Sequence, residues 1–367
     1  GTVNLPSNDP YYPAFADWDG GGTATWITRF ASADWSYSAP TDHLAVTQDN
    51  MAGTEQFQSA FSWIKNRDAA DNYMLFDRVR GATNDLHSNT TDVQVTDPDT
   101  VQRFLEAGVQ IGNDVQVNTA NESYVLWNWM MEATGSGASN EAGSINTTST
   151  LVDQTLGLSI SKYTGTGSNA TIGHGLGAAP GMIIIKNLGV TDAWAVYYGD
   201  NTDYLVLNTT ATTADDATMW NDTTPSSTVF SIGTNHQVNA SSENYIAYCF
   251  APSQFISIGS HIGNGNVNGP WVPTLNSLGV PIQPVWSLIK ATDLATRSWY
   301  ASDNKRNGNG NPIERYLMPN QTSPDYEDTG PPAFDTGGIK MRGSGTSNNN
   351  SGTTYIHLVM GTPIIDV

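Results

Sequence analysis

Three short runs along the chain resemble one another: Trp63-Ile64-Lys65, Ile184-Ile185-Lys186 and Leu288-Ile289-Lys290. Each is followed by a second shared run, and these are Tyr124-Val125-Leu126-Trp127, Tyr245-Ile246-Ala247-Tyr248 and Tyr355-Ile356-His357-Leu358. The lysine precedes the tyrosine by 59 residues in the first two cases and by 65 in the third. An ordered recurrence of this kind indicates an internal repeat, so the sequence predicts three related copies.

Smaller landmarks recur between these anchors. Gly112 precedes Asn118 by 6 residues and Gly233 precedes Asn239 by 6, whereas Gly338 is the corresponding glycine that we assign in the third copy, ahead of a Ser/Asn-rich stretch at 343–352. A Leu-x-x-Asn motif lies in the middle of each copy, at Leu86–Asn89, Leu205–Asn208 and Leu317–Asn320. Trp194 and Trp299 follow their lysines by 8 and 9 residues.

The spacing and composition predict an all-β fold. Each copy contains several short runs rich in β-branched and aromatic residues, separated by Gly, Asn, Asp or Pro, which is typical of sandwiches and jelly rolls. Met182–Ile185 is expected to form a central strand, with Trp194–Tyr198 and Tyr204–Leu207 beside it. One helix is predicted from Asp97 to Gly108, with Asp97 as N-cap and Pro98 at the first helical position; a loop is the alternative there.

The repeat also sets the expected domain boundaries. Residues 1–54 are an N-terminal arm or the first strands of copy one, with strand-like runs at Trp26–Phe30 and His43–Val46. Copy one spans 55–133, a Gly/Ser/Asn/Thr-rich linker spans 134–154, copy two spans 155–251 and copy three spans 252–367. Such tandem sandwiches would form a stiff rod.

Charge and composition exclude several functional classes. The 367 residues carry 35 acidic and 15 basic side chains, a net charge of −20. This argues against sequence-independent nucleic-acid binding and against docking on anionic lipid. No apolar run is long enough to span a membrane. Cys249 is the single cysteine and lies in an apolar run, so we interpret it as a buried small hydrophobe.

A search for catalytic motifs predicts a protein that is not an enzyme and needs no cofactor. Nucleophile elbows, zinc-protease motifs and P-loops are absent from the sequence. Glu327 and Asp328 are neighbours, which on a strand point to opposite faces rather than forming a glycosidase pair. The six histidines are scattered along the chain.

Two sets of candidate ligand-binding residues have structural alternatives. Acidic loops that suit Ca²⁺ or simple Asx turns occur at Asp17-Trp18-Asp19-Gly20-Gly21-Gly22, Asp215-Asp216 and Asn221-Asp222. Side chains that suit stacking on sugar rings are Trp194, Trp299 and Tyr300. Because the two tryptophans occupy equivalent repeat positions, we favour a role in the core for them.

The chain resembles a recurring module in virion proteins of tailed, mostly marine bacteriophages. The resemblance is carried by Ser62-Trp63-Ile64-Lys65-Asn66-Arg67-Asp68, Leu75-Phe76-Asp77-Arg78-Val79-Arg80-Gly81 and Tyr124-Val125-Leu126-Trp127-Asn128-Trp129. It extends over residues 55–361, with an insertion near 270–284 in copy three. It implies a concanavalin-like sandwich on the virion surface and implies no catalytic residues.

The resemblance leads to one functional expectation with two alternatives. We expect a non-enzymatic phage virion-surface protein, either a tail-fibre adhesin or a capsid-decorating fibre or knob. Its expected partners are other virion proteins, further copies of itself, most simply in a trimer, and host surface polysaccharide. The alternatives are a bacterial cell-surface or secreted carbohydrate-binding protein and a glycan depolymerase.

Overall fold

The computed structural model describes residues 57–106, 108–132, 134–306, 313–327 and 332–364. The chain divides into two compact units, Gly1–Met51 and Ala52–Val367, and everything described lies in the second. The strands predicted at Trp26–Phe30 and His43–Val46, and the acidic loop at Asp17–Gly22, lie outside the described residues. The predicted all-β fold is confirmed, with 45% strand and 4% helix.

The described chain consists of three segments, residues 57–132, 134–250 and 256–363. The first segment forms a five-stranded antiparallel sheet in the order β4-β3-β2-β1-β7 and a hairpin of β5 and β6. Its elements are β1 (Phe57–Asn66), β2 (Met74–Asp77), β3 (Gly81–His87), β4 (Val95–Thr96), β5 (Val101–Leu105), β6 (Gly108–Ile111), α1 (Val115–Asn118) and β7 (Tyr124–Glu132).

The helix predicted from Asp97 to Gly108 is wrong, because β5 occupies that stretch. Asp97 instead accepts a hydrogen bond from the Asp99 amide (2.8 Å), which makes an Asx turn. Val101 is fully buried beside Phe76 of the large sheet. The burial of β5 against that sheet therefore outweighs the local helix-start signal.

The second segment forms an eight-stranded sheet in the order β15-β14-β13-β12-β17-β10-β9-β8, and β11 pairs with β16. Its elements are β8 (Thr134–Ala138), β9 (Ser149–Asp153), β10 (Leu158–Thr164), β11 (Ala170–Gly173), β12 (Met182–Asn187), β13 (Ala195–Tyr197), β14 (Asp203–Val206), β15 (Ala214–Asp215), α2 (Ala217–Trp220), β16 (Val229–Ile232), α3 (His236–Asn239) and β17 (Asn244–Phe250). The stretch 134–154, expected as a linker, thus contributes β8 and β9 to this sheet.

The third segment forms a six-stranded sheet in the order β18-β26-β20-β21-β22-β23 and a three-stranded sheet in the order β19-β25-β24. Its elements are β18 (Ile256–Ile262), β19 (Trp271–Pro273), β20 (Ile282–Ala291), β21 (Tyr300–Asp303), β22 (Arg315–Leu317), β23 (Tyr326–Glu327), β24 (Ala333–Asp335), β25 (Gly338–Lys340) and β26 (Thr354–Pro363).

The strand that carries each landmark lysine lies inside its sheet and is paired with the strand that carries the landmark tyrosine. These pairs are β1 with β7, β12 with β17, and β20 with β26. From each lysine strand the chain meanders outward through three more strands, giving β2-β3-β4, β13-β14-β15 and β21-β22-β23. The strand orders therefore correspond, although the division into three domain copies stays a prediction.

The large sheets are buried on both faces. One apolar cluster draws on all three large sheets, and its central-strand members include Trp63, Ile184 and Leu288. The next residue of each strand points the other way, into a separate cluster beneath that segment's smaller sheet or hairpin; these residues are Ile64, Ile185 and Ile289. Successive strand residues alternate between faces, so the continuous apolar runs reflect burial on both sides.

Candidate functional site

The landmark tyrosines hold a tight turn in each segment. The hydroxyl groups of Tyr124, Tyr245 and Tyr355 accept hydrogen bonds from the backbone amides of Thr119, Ala240 and Asn350, at 2.8–2.9 Å. Each hydroxyl also donates to a carbonyl nine residues earlier, and these acceptors are Val115, His236 and Thr346. The shared tyrosine therefore acts as a structural clamp.

The landmark asparagines close the same turns. The side-chain amides of Asn118, Asn239 and Asn349 donate to the carbonyl oxygens of Gly112, Gly233 and Gly343, at 2.6–2.7 Å. The glycine assigned to the third copy at Gly338 is therefore wrong, and Gly343 is its true counterpart. An added Cβ would lie 2.3 Å from the Asp99 carbonyl oxygen at Gly112 and 2.2 Å from that of Thr218 at Gly233, which excludes a side chain at both positions.

The Leu-x-x-Asn motifs also have a structural role. The side-chain oxygens of Asn89, Asn208 and Asn320 accept the backbone amides of Tyr73, Trp194 and Trp299, at 2.9–3.0 Å. The asparagine, which follows one strand of the meander, thereby positions a large aromatic residue directly before the preceding strand. Trp194 and Trp299 are 0% exposed and Tyr300 is 1% exposed, so these candidates for sugar stacking lie in the core.

The landmark lysines are buried charged groups. Lys65, Lys186 and Lys290 are each 0% exposed. Their amines donate to the backbone carbonyls of Asn66 (2.5 Å), Asn187 (2.7 Å) and Arg297 (2.7 Å). Burial lowers the pKa of all three amines from the usual 10.5 to about 8. Within the described ranges, none of the three forms an ion pair with a carboxylate.

The acidic loops proposed for Ca²⁺ contain turn and cap interactions. Asp216 accepts the Thr218 amide (2.8 Å) and caps α2, and Asn221 and Asp222 adopt left-handed backbone conformations, with φ of 52° and 43°. Across the part of the chain that the structure describes, no group of three or more His, Cys, Asp or Glu side chains is arranged to hold a metal ion.

The remaining reactive candidates are also dispersed. Burial raises the pKa of the Cys249 thiol to about 12, in keeping with an inert core residue. Glu327 pairs with Arg315 at 2.5 Å, and Asp328 lies outside the described residues. His261 and His357 come together with ring centroids 6.1 Å apart. No sequence motif indicates this pair, because the two residues are 96 positions apart and are brought together by the pairing of β18 with β26.

A surface groove in the third segment was missed by sequence reasoning. Trp271, 45% exposed, lines a groove of about 350 Å³ together with Pro273, Leu275 and Val280. The indole packs over Gly338, where an added Cβ would lie 2.5 Å from a ring atom. Most of the residues that line the groove belong to the insertion noted near 270–284, and this insertion is the sequence signal for it.

A second groove, of about 370 Å³, lies beside β7, and Met130, Trp286 and Lys305 are among the residues that line it. The Asp303 carboxylate in it already accepts hydrogen bonds from Trp127 and Arg306. The groove therefore offers mainly apolar surface rather than a free acid.

The model of the family described as "Domain of unknown function (DUF7483)" matches residues 42–362 of the chain. The chain belongs to this family. The DUF7483 match covers all three landmark sets, from the Lys65 strand to the Tyr355 strand. Neither the curated proteins nor the solved structures contain a match to the chain. Within the described parts of this DUF7483 protein, no helix is both long and apolar enough to cross a membrane.

Proposed function

We propose that this protein is a non-enzymatic structural component of the surface of a tailed bacteriophage, either a tail-fibre adhesin or a capsid-decorating fibre or knob. The main support is the use that the fold makes of its repeated residues. The recurring Tyr, Asn and Gly residues hold turns, and the recurring aromatic residues fill a shared core. A chain that repeats its scaffold residues is suited to presenting surface loops on a rigid body.

The resemblance of the Trp63, Leu75 and Tyr124 regions to phage virion modules supports the same proposal. Tight side-chain packing on both faces of the sheets suits a protein that must keep its shape outside a cell. A surface built largely from Asn, Thr, Ser and Gly also suits adaptable polar contacts, with host polysaccharide or with neighbouring virion proteins.

The Trp271 groove favours a second candidate, a bacterial cell-surface or secreted carbohydrate-binding protein. An exposed indole can stack on the apolar face of a sugar ring, and Thr336 supplies a hydroxyl in the same groove. A glycan array probed with the purified chain tests this candidate. We expect binding to fall by about tenfold in Trp271→Ala and to persist in Leu278→Ala, a control on the same loop whose residue is 81% exposed. Equal binding by the two variants would remove the groove from consideration.

Cryo-electron microscopy of purified virions, reconstructed without imposed symmetry, tests the main proposal. Density that fits residues 57–364 on the capsid would identify a decoration protein. The same density on the tail would identify a host-recognition fibre. If antibodies raised against the chain label no virion and label bacterial cells instead, the proposal fails and the second candidate replaces it.

A further inference from the structure

The three segments are joined by backbone hydrogen bonds at equivalent positions. Each donor amide belongs to the residue directly before the last strand of a meander, β4, β15 or β23, and each acceptor carbonyl lies two residues after a landmark lysine. The bonds are Gln94 to Leu188 (3.1 Å), Thr213 to Thr292 (2.9 Å) and Asp325 to Arg67 (3.0 Å). They run from the first segment to the second, from the second to the third, and from the third back to the first.

A second set of contacts runs around the same circuit in the opposite direction. The indole nitrogen of Trp194 donates to the His87 carbonyl (2.9 Å), and that of Trp299 donates to the Val206 carbonyl (3.0 Å). His87 and Val206 each directly follow the leucine of a Leu-x-x-Asn motif. We call each region where two segments meet a seam. At the seam between the first and third segments, the Ser88 hydroxyl donates to the Pro319 carbonyl (2.7 Å).

Two of the three seams also each contain a buried aspartate that accepts a hydrogen bond from the other segment. The Asp77 carboxylate accepts the Tyr248 hydroxyl (2.7 Å), and the Asp303 carboxylate accepts the Trp127 indole nitrogen (2.9 Å). Tyr248 and Trp127 both lie three residues after a landmark tyrosine, and each acid ends the strand that follows a lysine strand. Each acid is paired with an arginine three residues later, Arg80 or Arg306 respectively.

We propose that the three segments are copies of one module closed into a ring about a quasi-threefold axis, so that a single chain forms an intramolecular trimer. Equivalent contacts that pass from each segment to the next, and from the last to the first, are what cyclic symmetry requires. The shared apolar cluster occupies the centre of this ring. A closed unit therefore replaces the stiff rod that was expected from tandem sandwiches. One chain alone supplies all three parts of the quasi-threefold arrangement.

The ring closes at the seam between the third and first segments. Strand β7 of the first segment is followed in the chain by β8 of the second, and residues 251–255 carry the chain from the second segment to the third, whereas the third and first segments meet without a chain connection. An ionic cluster lies at this seam. Asp325 is 4% exposed in its side chain and contacts the Arg67 Nε (2.7 Å) and the Arg306 Nη1 (2.5 Å). The equivalent residues at the other seams, Gln94 and Thr213, are uncharged.

Asp325 is therefore the latch of the ring. Its removal would leave two arginines, one of them almost fully buried, without their shared partner, and such a loss is strongly unfavourable. A segment freed at this seam exposes the surface that fits the first segment of another chain. Domain-swapped oligomers are the expected product of an opened ring.

Hydrogen exchange of the unmodified protein tests the ring directly. In the ring, the Asp325 amide is bonded to Arg67 and exchanges as slowly as the Gln94 and Thr213 amides. In a rod, the Asp325 amide has lost its only partner across the seam and exchanges at the rate of an open loop. A protected Asp325 amide, together with small-angle X-ray scattering that fits a compact particle, supports the ring; an unprotected amide and an elongated particle overturn it.

The latch is tested with Asp325→Asn, and Glu327→Gln is the control. Glu327 lies two residues further along the chain, at the end of β23, carries the same charge and is 70% exposed in its side chain. We expect Asp325→Asn to speed exchange of the position-325 amide by about tenfold or more and to produce dimers that grow with concentration, and we expect neither change in Glu327→Gln. If both variants behave like the parent, Asp325 is not the latch, and the ring is then judged by exchange and scattering of the parent alone.

Discussion

At the scale of single residues, the three buried lysines work against the stability of the fold. Each amine has lost its hydration and has gained backbone carbonyl partners, but no paired carboxylate within the described residues. Burying an ammonium group in this way costs several kcal/mol before its hydrogen bonds are counted. The lowered pKa values, about 8 for all three, express that cost.

Replacement of Lys186 by methionine should therefore stabilise the protein. Methionine has a similar length and carries no charge, so we expect Lys186→Met to raise the free energy of unfolding by about 1–2 kcal/mol at pH 7. Urea denaturation measures this change. Lys162→Met is the matched control, because Lys162 lies half-buried on β10 of the same sheet, and it should change stability by less than about 0.5 kcal/mol. A destabilised Lys186→Met protein would contradict this account.

The same lysines predict an alkaline rise in stability. Below pH 8 the amines are protonated in both the folded and the unfolded states, so the full cost of burial applies. Between a folded pKa of about 8 and the unfolded value of 10.5, only the unfolded chain keeps its protons, and stability increases with pH. Thermal denaturation at pH 7.5 and at about pH 9.5, short of tyrosine ionisation, should show a higher midpoint at the higher pH. A flat or falling profile would mean that other groups dominate.

His357 predicts a loss of stability at acid pH. Burial lowers the pKa of this imidazole from 6.5 to about 3, with His261 adding to the shift. The unfolded chain binds a proton below pH 6.5 and the folded chain does not, so stability falls as the pH decreases from 6.5 towards 3. His357→Leu, which introduces the residue found at the equivalent Leu126, should flatten the profile between about pH 6.5 and 5. An unchanged profile in His357→Leu would contradict this account.

At the scale of elements, the turn before each landmark tyrosine depends on a glycine that has no room for a side chain. Gly233→Ala would place a Cβ 2.2 Å from the Thr218 carbonyl oxygen, so α2 or β16 must shift. We expect a loss of about 2–3 kcal/mol in the free energy of unfolding. Gly108→Ala is the control, because nothing lies within 4 Å of its added Cβ. Chemical denaturation of the two variants separates a packing effect from a general effect of removing glycine.

Much of this element-level detail could be predicted from the sequence. The strands at Met182–Ile185, Trp194–Tyr198 and Tyr204–Leu207 were expected as neighbours, and β12, β13 and β14 are adjacent in the sheet. The helix at Asp97 was wrong because its start signal is local, whereas β5 is held by distant apolar contacts. The assignment of Gly338 was wrong because this glycine-rich stretch offers several candidates, and only the hydrogen bond from Asn349 identifies Gly343.

At the scale of the whole molecule, the contacts between segments could not be predicted. Gln94, Thr213 and Asp325 share no side-chain chemistry, because the bonds that relate them use the backbone alone. The Trp271 groove could not be predicted either, because the sequence alone does not distinguish an exposed tryptophan in a strand from a core tryptophan. The arrangement of the segments could not be predicted because the sheets are buried on both faces. A residue such as Trp63 is predicted to be in the core whether its partners lie in its own segment or in another.

A shared core predicts joint unfolding. Trp127 and Trp129 of the first segment pack against Trp286 of the third, and Phe61 packs against Tyr248 of the second, with ring centroids 4.7–5.8 Å apart. Differential scanning calorimetry should therefore show one cooperative transition for the three segments. Separate transitions, one for each segment, would mean that each is stabilised mainly by its own sandwich.

The buried lysines have a practical consequence for anyone who labels or immobilises this protein. The chain has six lysines, and three of them, Lys65, Lys186 and Lys290, are sealed in the interior. Amine-reactive dyes and coupling resins will therefore attach, apart from the chain terminus, at Lys162, Lys305 and Lys340. None of these lies in the first segment, so coupling through lysine will leave the surface of that segment unmodified.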